Sequence, residues 1–171
     1  MTRLQWAGAA GAAALAASLG ACQVNTAAKP AVDTAKIADA IKADEAQGAA
    51  DFNAHDAVKS ASHDAADIVA MFHGTPNSNG HAADQAATQQ LFAANPNAHF
   101  TLADESVDVA ASGDMAVYHS TYTFTFTDPK TKKPATEKGN WLVGYKPQAD
   151  GSWKMEWAVG ADTGPAPAAK S

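Results

Sequence analysis

Six histidines and a single cysteine carry most of the reactive chemistry in this chain of 171 residues. A histidine titrates near neutral pH and can act as a general base or acid. His73 stands in a turn-rich loop, His73-Gly74-Thr75-Pro76, directly after the apolar Phe72. A loop histidine beside glycine that simply faces water is the plainer reading of the same residues. Zinc sites place their ligands in close pairs on one element. His55, His63, His73, His81, His99 and His119 show no such pairing, so no metal is expected. Ser62-His63-Asp64 holds the letters of a catalytic triad, but consecutive side chains diverge and cannot form a triad's hydrogen-bond chain. There is no glycine-rich phosphate loop, and no cofactor is expected.

Cys22 has no partner in the chain, which rules out an intrachain disulfide. It follows Arg3, an uncharged run from Leu4 to Leu19, and then Gly20 and Ala21. A positive start, an apolar middle and small residues before a cut read as a signal peptide over residues 1–21. The run is too short and alanine-rich for a bilayer span of about 20 strongly apolar residues. Leu19-Gly20-Ala21-Cys22 resembles the lipobox of bacterial lipoproteins, which implies cleavage before Cys22 and acylation of that cysteine. Acyl chains contribute about 0.8 kcal/mol per buried CH₂, so several of them would be the only membrane contact needed. Gln23, not aspartate, follows the cysteine. By resemblance to the sorting rule of enteric bacteria this implies a lipid-anchored protein of the cell envelope, on the periplasmic side of the outer membrane.

The elements that would position any site lie further along. Residues 22–31 read as a tether, 32–162 as one folded domain, and 163–171 as an Ala/Pro-rich disordered tail. Ile37, Ile41, Ala49 and Phe52 recur at helical spacing over residues 32–53, with Asp33 at the start of the helix. Asp56 caps a second, short helix, residues 65–72 read as a strand, and residues 82–94 read as a third helix that stops at Asn95-Pro96. Strands follow at 99–111, 115–127, 141–146 and 153–159. They are joined through Ser112-Gly113-Asp114, a loop at 128–134 containing Lys130, Lys132 and Lys133, and the Asp150-Gly151 turn. In the strand at 115–127, Tyr118, Ser120, Tyr122, Phe124 and Phe126 share one face, while His119, Thr121, Thr123 and Thr125 share the other. This order predicts an α+β domain with helices on one side of a curved antiparallel sheet. The net charge of −6 and scattered lysines exclude nucleic acid, whose phosphates demand a basic patch.

Gly80 before the third helix, the turn Ser112-Gly113-Asp114-Met115-Ala116, and Asp150-Gly151-Ser152-Trp153-Lys154-Met155 resemble SnoaL-like and ketosteroid-isomerase-like proteins of the nuclear transport factor 2-like superfamily. The resemblance spans about residues 37–162 and implies a cone in which a bent sheet wraps the long first helix and leaves a pocket at the open end. It also implies where an isomerase would keep its groups: the base at Met71 or Phe72, the tyrosine near Gly48, the second acid around Gly139 to Trp141, and a last-strand acid at Ala158. None of these positions holds such a group. His73 is the nearest titratable residue to the lost base. Phe72, Tyr122, Phe124, Trp141 and Trp157 are the residues expected to wall an apolar ligand pocket, and the leading expectation is a non-catalytic binder of a small apolar molecule or a protein partner. Two alternatives stay open. One is an isomerase or dehydratase built on His73, and the other is a structural homodimer pairing through the threonine-rich sheet face.

Overall fold

The computed structural model describes residues 31–128 and 130–164. The signal segment 1–21, Cys22, most of the tether and all but the first two residues of the tail lie outside the described residues. Asp33 caps α1 (Thr34–Asn53), its carboxylate accepting from the Lys36 N–H at 3.0 Å. Asp56 caps α2 (Ala57–Ala61) in the same way, accepting from Lys59 N–H. Each cap satisfies a backbone donor that the helix itself leaves free, worth about 1 kcal/mol. β1 (Asp64–Phe72) is followed by a two-residue strand, β2 (Ser78–Asn79), which pairs with it, and then by α3 (His81–Ala94). Gly80 starts α3 at φ 90°, a backbone conformation that a side chain would oppose.

The remaining strands are β3 (His99–Val109), β4 (Ala116–Thr127), β5 (Pro134–Pro147) and β6 (Trp153–Asp162). The sheet order is β2-β1-β6-β5-β4-β3, antiparallel throughout except where β1 runs parallel to β6. Two strands run well past their expected bounds, while β3 stops at Val109, two residues short of the expected 111. β5 begins at Pro134, not Trp141, because Pro134 to Asn140 pair residue for residue with Thr127 to Thr121 of β4. Lys138, Gly139 and Asn140 hide that stretch from a hydropathy reading. β6 runs on to Asp162, opposite Gly139. On β4 the faces divide as the alternation predicts, with Tyr118, Ser120 and Tyr122 buried and His119 and Thr121 exposed.

The core lies between α1 and the inner face of the sheet. Ile41, Ile68, Tyr118, Val143 and Tyr145 are fully enclosed there. Burial of each isoleucine contributes on the order of 2 kcal/mol. Beside a register shift in β1 between Asp64 and Val69, two irregularities in the antiparallel part of the sheet bend it around α1. One lies in β3, where the register with β4 shifts between Ala103 and Ser106 and Asp104 takes φ 55°. The other lies in β6, where Gly144 pairs with Trp157 but Tyr145 pairs with Met155, leaving Glu156 as an extra residue.

Candidate functional site

A cavity of about 640 Å³ opens between α1, α3 and the inner face of the sheet. Its α1 wall follows from helical spacing. Ile41, Glu45, Gly48 and Phe52 succeed one another at intervals of three or four residues, so all four lie on one face, and the last three line the cavity. Phe52 meets Phe100 of β3 with ring centroids 5.8 Å apart and Phe124 of β4 at 6.2 Å. Phe100 in turn meets Tyr122 at 5.4 Å and Trp141 of β5 at 5.9 Å. Leu91 and Ala87 of α3 complete an apolar enclosure.

Of the residues expected in the pocket, Phe72, Tyr122, Phe124 and Trp141 line the cavity. Phe72 sits at the mouth, 43% exposed and stacked on Trp141 at 5.9 Å. Gly160 lets it approach, since a Cβ there would lie 2.8 Å from the Phe72 ring. Trp157 does not line the cavity, which corrects the expectation. The extra residue Glu156 reverses the side-chain alternation of β6, so Met155 and Ala158 face inward and Trp157 falls on the opposite face. Its indole lies over Gly144, where a Cβ would collide with the ring.

His73 reaches the rim, half exposed, with Nε2 3.6 Å from Glu137 Oε2 and 4.0 Å from Asp162 Oδ2. Glu137 also accepts the hydroxyl of Tyr122. His119 stands on the outer face, 3.9 Å from Asp108. Gly48, Phe72, Trp141 and Ala158, to which the resemblance carried an isomerase's groups, all line the cavity without supplying an acid or a tyrosine.

The acids present are different ones. Glu45 is 3% exposed. Its Oε2 accepts from Trp141 Nε1–H at 3.0 Å, and its Oε1 lies 3.0 Å from the Tyr145 hydroxyl. That hydroxyl also lies 3.1 Å from Asp44 Oδ2 but owns one proton. When Tyr145 donates to Asp44, Glu45 can keep contact only by holding a proton of its own. Burial, the largest cause, accordingly pushes Glu45 up to about 7. Behind it, His63 places Nδ1 2.7 Å from Asp44 Oδ1 and Nε2 3.3 Å from Asp51 Oδ2. Two carboxylate acceptors, one on each ring nitrogen, favour the imidazolium. His63 is raised from its ordinary value, first by the Asp44 hydrogen bond. A continuous chain thus runs Asp51, His63, Asp44, Tyr145, Glu45, Trp141.

Asp64 of β1 and Asp84 of α3 also line the cavity. Asp64 Oδ2 is shielded from solvent and has no hydrogen-bond partner. Burial first, then the charge of Asp84, pushes Asp64 up to about 8. Burial likewise raises Asp84, against the opposing effects of Ser78 and His81. Carboxyls that hold protons near neutral pH beside an apolar space can donate to or accept from a bound molecule.

These groups were missed in the sequence. Glu45 had a signal: Ile37, Ile41 and Glu45 are spaced by four, so an acid stands on the apolar stripe. Asp64 and Asp84 had none, because their common cavity exists only after β1 and α3 pack.

No family model matches the chain, and no curated protein matches it in sequence. The likeness lies in structure. A ketosteroid isomerase-like protein from Erwinia carotovora atroseptica is similar with a TM-score of 0.63 at 20% identity, over 74% of this chain and 96% of that one. An NTF2-like protein with a cystatin-like fold from Novosphingobium aromaticivorans gives 0.61 at 17% identity, over 75% and 83%. A type 2 hexachlorocyclohexane dehydrochlorinase gives 0.68 at 13% identity, over 77% and 87%. At these identities the likeness establishes the fold, which is the nuclear transport factor 2-like, ketosteroid-isomerase-like α+β cone with an open six-stranded sheet.

Proposed function

We propose that the domain binds a small, largely apolar molecule inside this cavity, while a lipid on Cys22 holds it on the periplasmic side of the outer membrane. The cavity carries the binding reading. Its volume of about 640 Å³ falls within the roughly 300–1,000 Å³ range of small-molecule sites, and its aromatic walls are interrupted by few polar groups. N-phenyl-1-naphthylamine, an uncharged fluorescent probe at neutral pH, should bind the purified protein. Leu91→Trp, which places an indole in the cavity, should weaken it by about tenfold or more through overpacking of the space. A folded protein that leaves the probe's fluorescence unchanged would sink the binding reading and favour a module that pairs through its outer sheet face.

The anchor reading rests on the apolar run ending in Leu19-Gly20-Ala21-Cys22, and the outer-membrane placement on Gln23. Cys22→Ser should leave a precursor that is neither cleaved nor labelled by a radioactive fatty acid. It should also shift from the detergent phase to the aqueous phase on Triton X-114 partitioning. Equal labelling of variant and native chain would remove the anchor.

A further inference from the structure

The chain carries a net charge of −6, yet one part of it is basic. The β4–β5 hairpin holds Lys130, Lys132 and Lys133 in its loop and Lys138 on the strand that follows, all exposed. Lys59 and Lys146 are paired with Asp56 and Glu156, and Lys154 donates to the Ser62 carbonyl. By contrast, none of the four hairpin lysines forms an ion pair with a described residue. The two acids of the segment are engaged locally. Asp128 accepts the backbone N–H groups of Lys130 and Thr131 at 2.8 and 2.6 Å, and Glu137 accepts the Tyr122 hydroxyl on the inner face.

The sheet leaves this hairpin standing clear as an arm. β3 reaches only as far as Thr125 of β4, and β6 ends at Asp162 opposite Gly139, so Phe126, Thr127 and residues 134–137 pair with each other alone. Phe126 stacks on Phe124 with centroids 5.2 Å apart and is the aromatic side chain nearest the loop. Phe124 and Glu137, at the base of the arm, line the cavity. The arm therefore projects from the cavity's mouth. None of its lysines lines the cavity, so no concavity gathers them around a single anion. Lysine is a point charge on a flexible stem, without the fork by which arginine grips one carboxylate or phosphate. Dispersed, exposed cations beside an aromatic side chain match a continuous anionic surface. A bilayer with anionic headgroups is such a surface, and each lysine close to it strengthens attachment about fivefold. Acids elsewhere on the domain do not cancel this, because at physiological salt charges more than about 8 Å away are screened.

We propose that the β4–β5 arm docks on an anionic phospholipid bilayer, with Lys130, Lys132 and Lys133 against the headgroup phosphates, and so sets the mouth of the cavity beside the membrane. The choice of a bilayer over an acidic protein rests on the anchor reading above, which keeps a membrane within reach of the domain. The arm itself needs no lipid on Cys22 to act.

Amide hydrogen exchange on the full chain tests this, with vesicles of phosphatidylcholine alone and of phosphatidylcholine mixed with phosphatidylglycerol. Peptides covering residues 124–138 are expected to exchange about fivefold to tenfold more slowly on the anionic vesicles, while the turns at 110–115 and 148–152 stay unchanged. Lys130→Gln, Lys132→Gln and Lys133→Gln combined should abolish the slowing, and so should salt of about 0.5 M on the native chain, which supplies the reading if the variant fails to fold. Equal exchange on the two kinds of vesicle overturns the inference. A slowing that survives in the variant and at high salt overturns it too, because the lysines would then not be its cause. Slowing produced by soluble poly-glutamate but not by the anionic vesicles would assign the arm to an acidic protein instead. Flotation with phosphatidylcholine vesicles alone reads the lipid on Cys22 separately. A chain that fails to float there, yet is protected on the anionic vesicles, loses its anchor and keeps its arm.

Discussion

The folded domain is expected to lose stability as pH rises from about 5 to about 9, the reverse of a protein stabilised by paired carboxylates. Glu45 goes from 4.5 up to about 7 on folding, and Asp64 from 3.8 up to about 8, both chiefly through burial. Between the ordinary and raised values the unfolded chain has released protons that the folded chain still binds, so stability falls with increasing pH. His63 acts in the same direction. Its folded value is raised by Asp44, so its contribution is complete below 6.5 and disappears as pH rises through the folded value. Asp56, Asp128 and Asp150 oppose this trend. Backbone and Ser152 hydrogen bonds lower them, and what they contribute is lost as pH falls below 3.8 through their folded values. Stability should therefore peak near pH 4 and decline by on the order of 3 to 5 kcal/mol by about pH 9. That figure lies below the simple product of shift and about 1.4 kcal/mol per unit, because relaxation and water entry soften buried charges. Urea midpoints across this range, in the native protein and in Glu45→Gln and Asp64→Asn, provide the check, and each variant should flatten the slope. A native curve that is level or rises between pH 5 and 9 would mean that the carboxyls ionise freely in the folded state.

Glu45→Ala should cost about 3 to 5 kcal/mol at pH 5, one of the largest losses available from a single substitution in this domain. The change removes the acceptor of Trp141 Nε1–H and one partner of Tyr145. Each buried polar group left unpaired costs about 1 to 3 kcal/mol, and the missing side-chain atoms remove packing next to Ile41. Glu45→Gln should cost about 1 kcal/mol, because its amide oxygen still accepts one of the two bonds. The penalty of the alanine variant should shrink toward pH 8, where the native Glu45 is itself costly as a buried anion. Denaturant unfolding gives the energies, and indole fluorescence reports whether Trp141 has gained access to water. A Glu45→Ala midpoint indistinguishable from the native one would show that the cavity's polar chain contributes nothing to the fold.

The helices and strands were legible because their determinants are local. Asp33 and Asp56 cap the helices they immediately precede, and their bonds span three residues. Ser112-Gly113-Asp114 and Asp150-Gly151 turn the chain within a few positions, with Gly113 at φ 69° and Gly151 at φ 85°. On β4, alternation alone placed Tyr122 and Phe124 on the inner face. Where local patterning was interrupted, the reading failed. A single extra residue in β6 carried Trp157 to the other face, and the polar stretch from Pro134 to Asn140 concealed half of β5.

By itself the sequence determined the order of elements, the apolar stripe of α1 and the absence of an isomerase's acids at the positions where the resemblance would put them. Only the tertiary structure decided which acids replace them. Trp141 and Tyr145 lie 96 and 100 residues from Glu45, and the Asp44 contact to Tyr145 spans 101. Asp64 and Asp84 acquire a common cavity only when α3 packs against β1. A carboxyl's hold on its proton depends on how much water its neighbours remove and which donors they bring. Neither quantity exists until elements distant in the chain have closed around it.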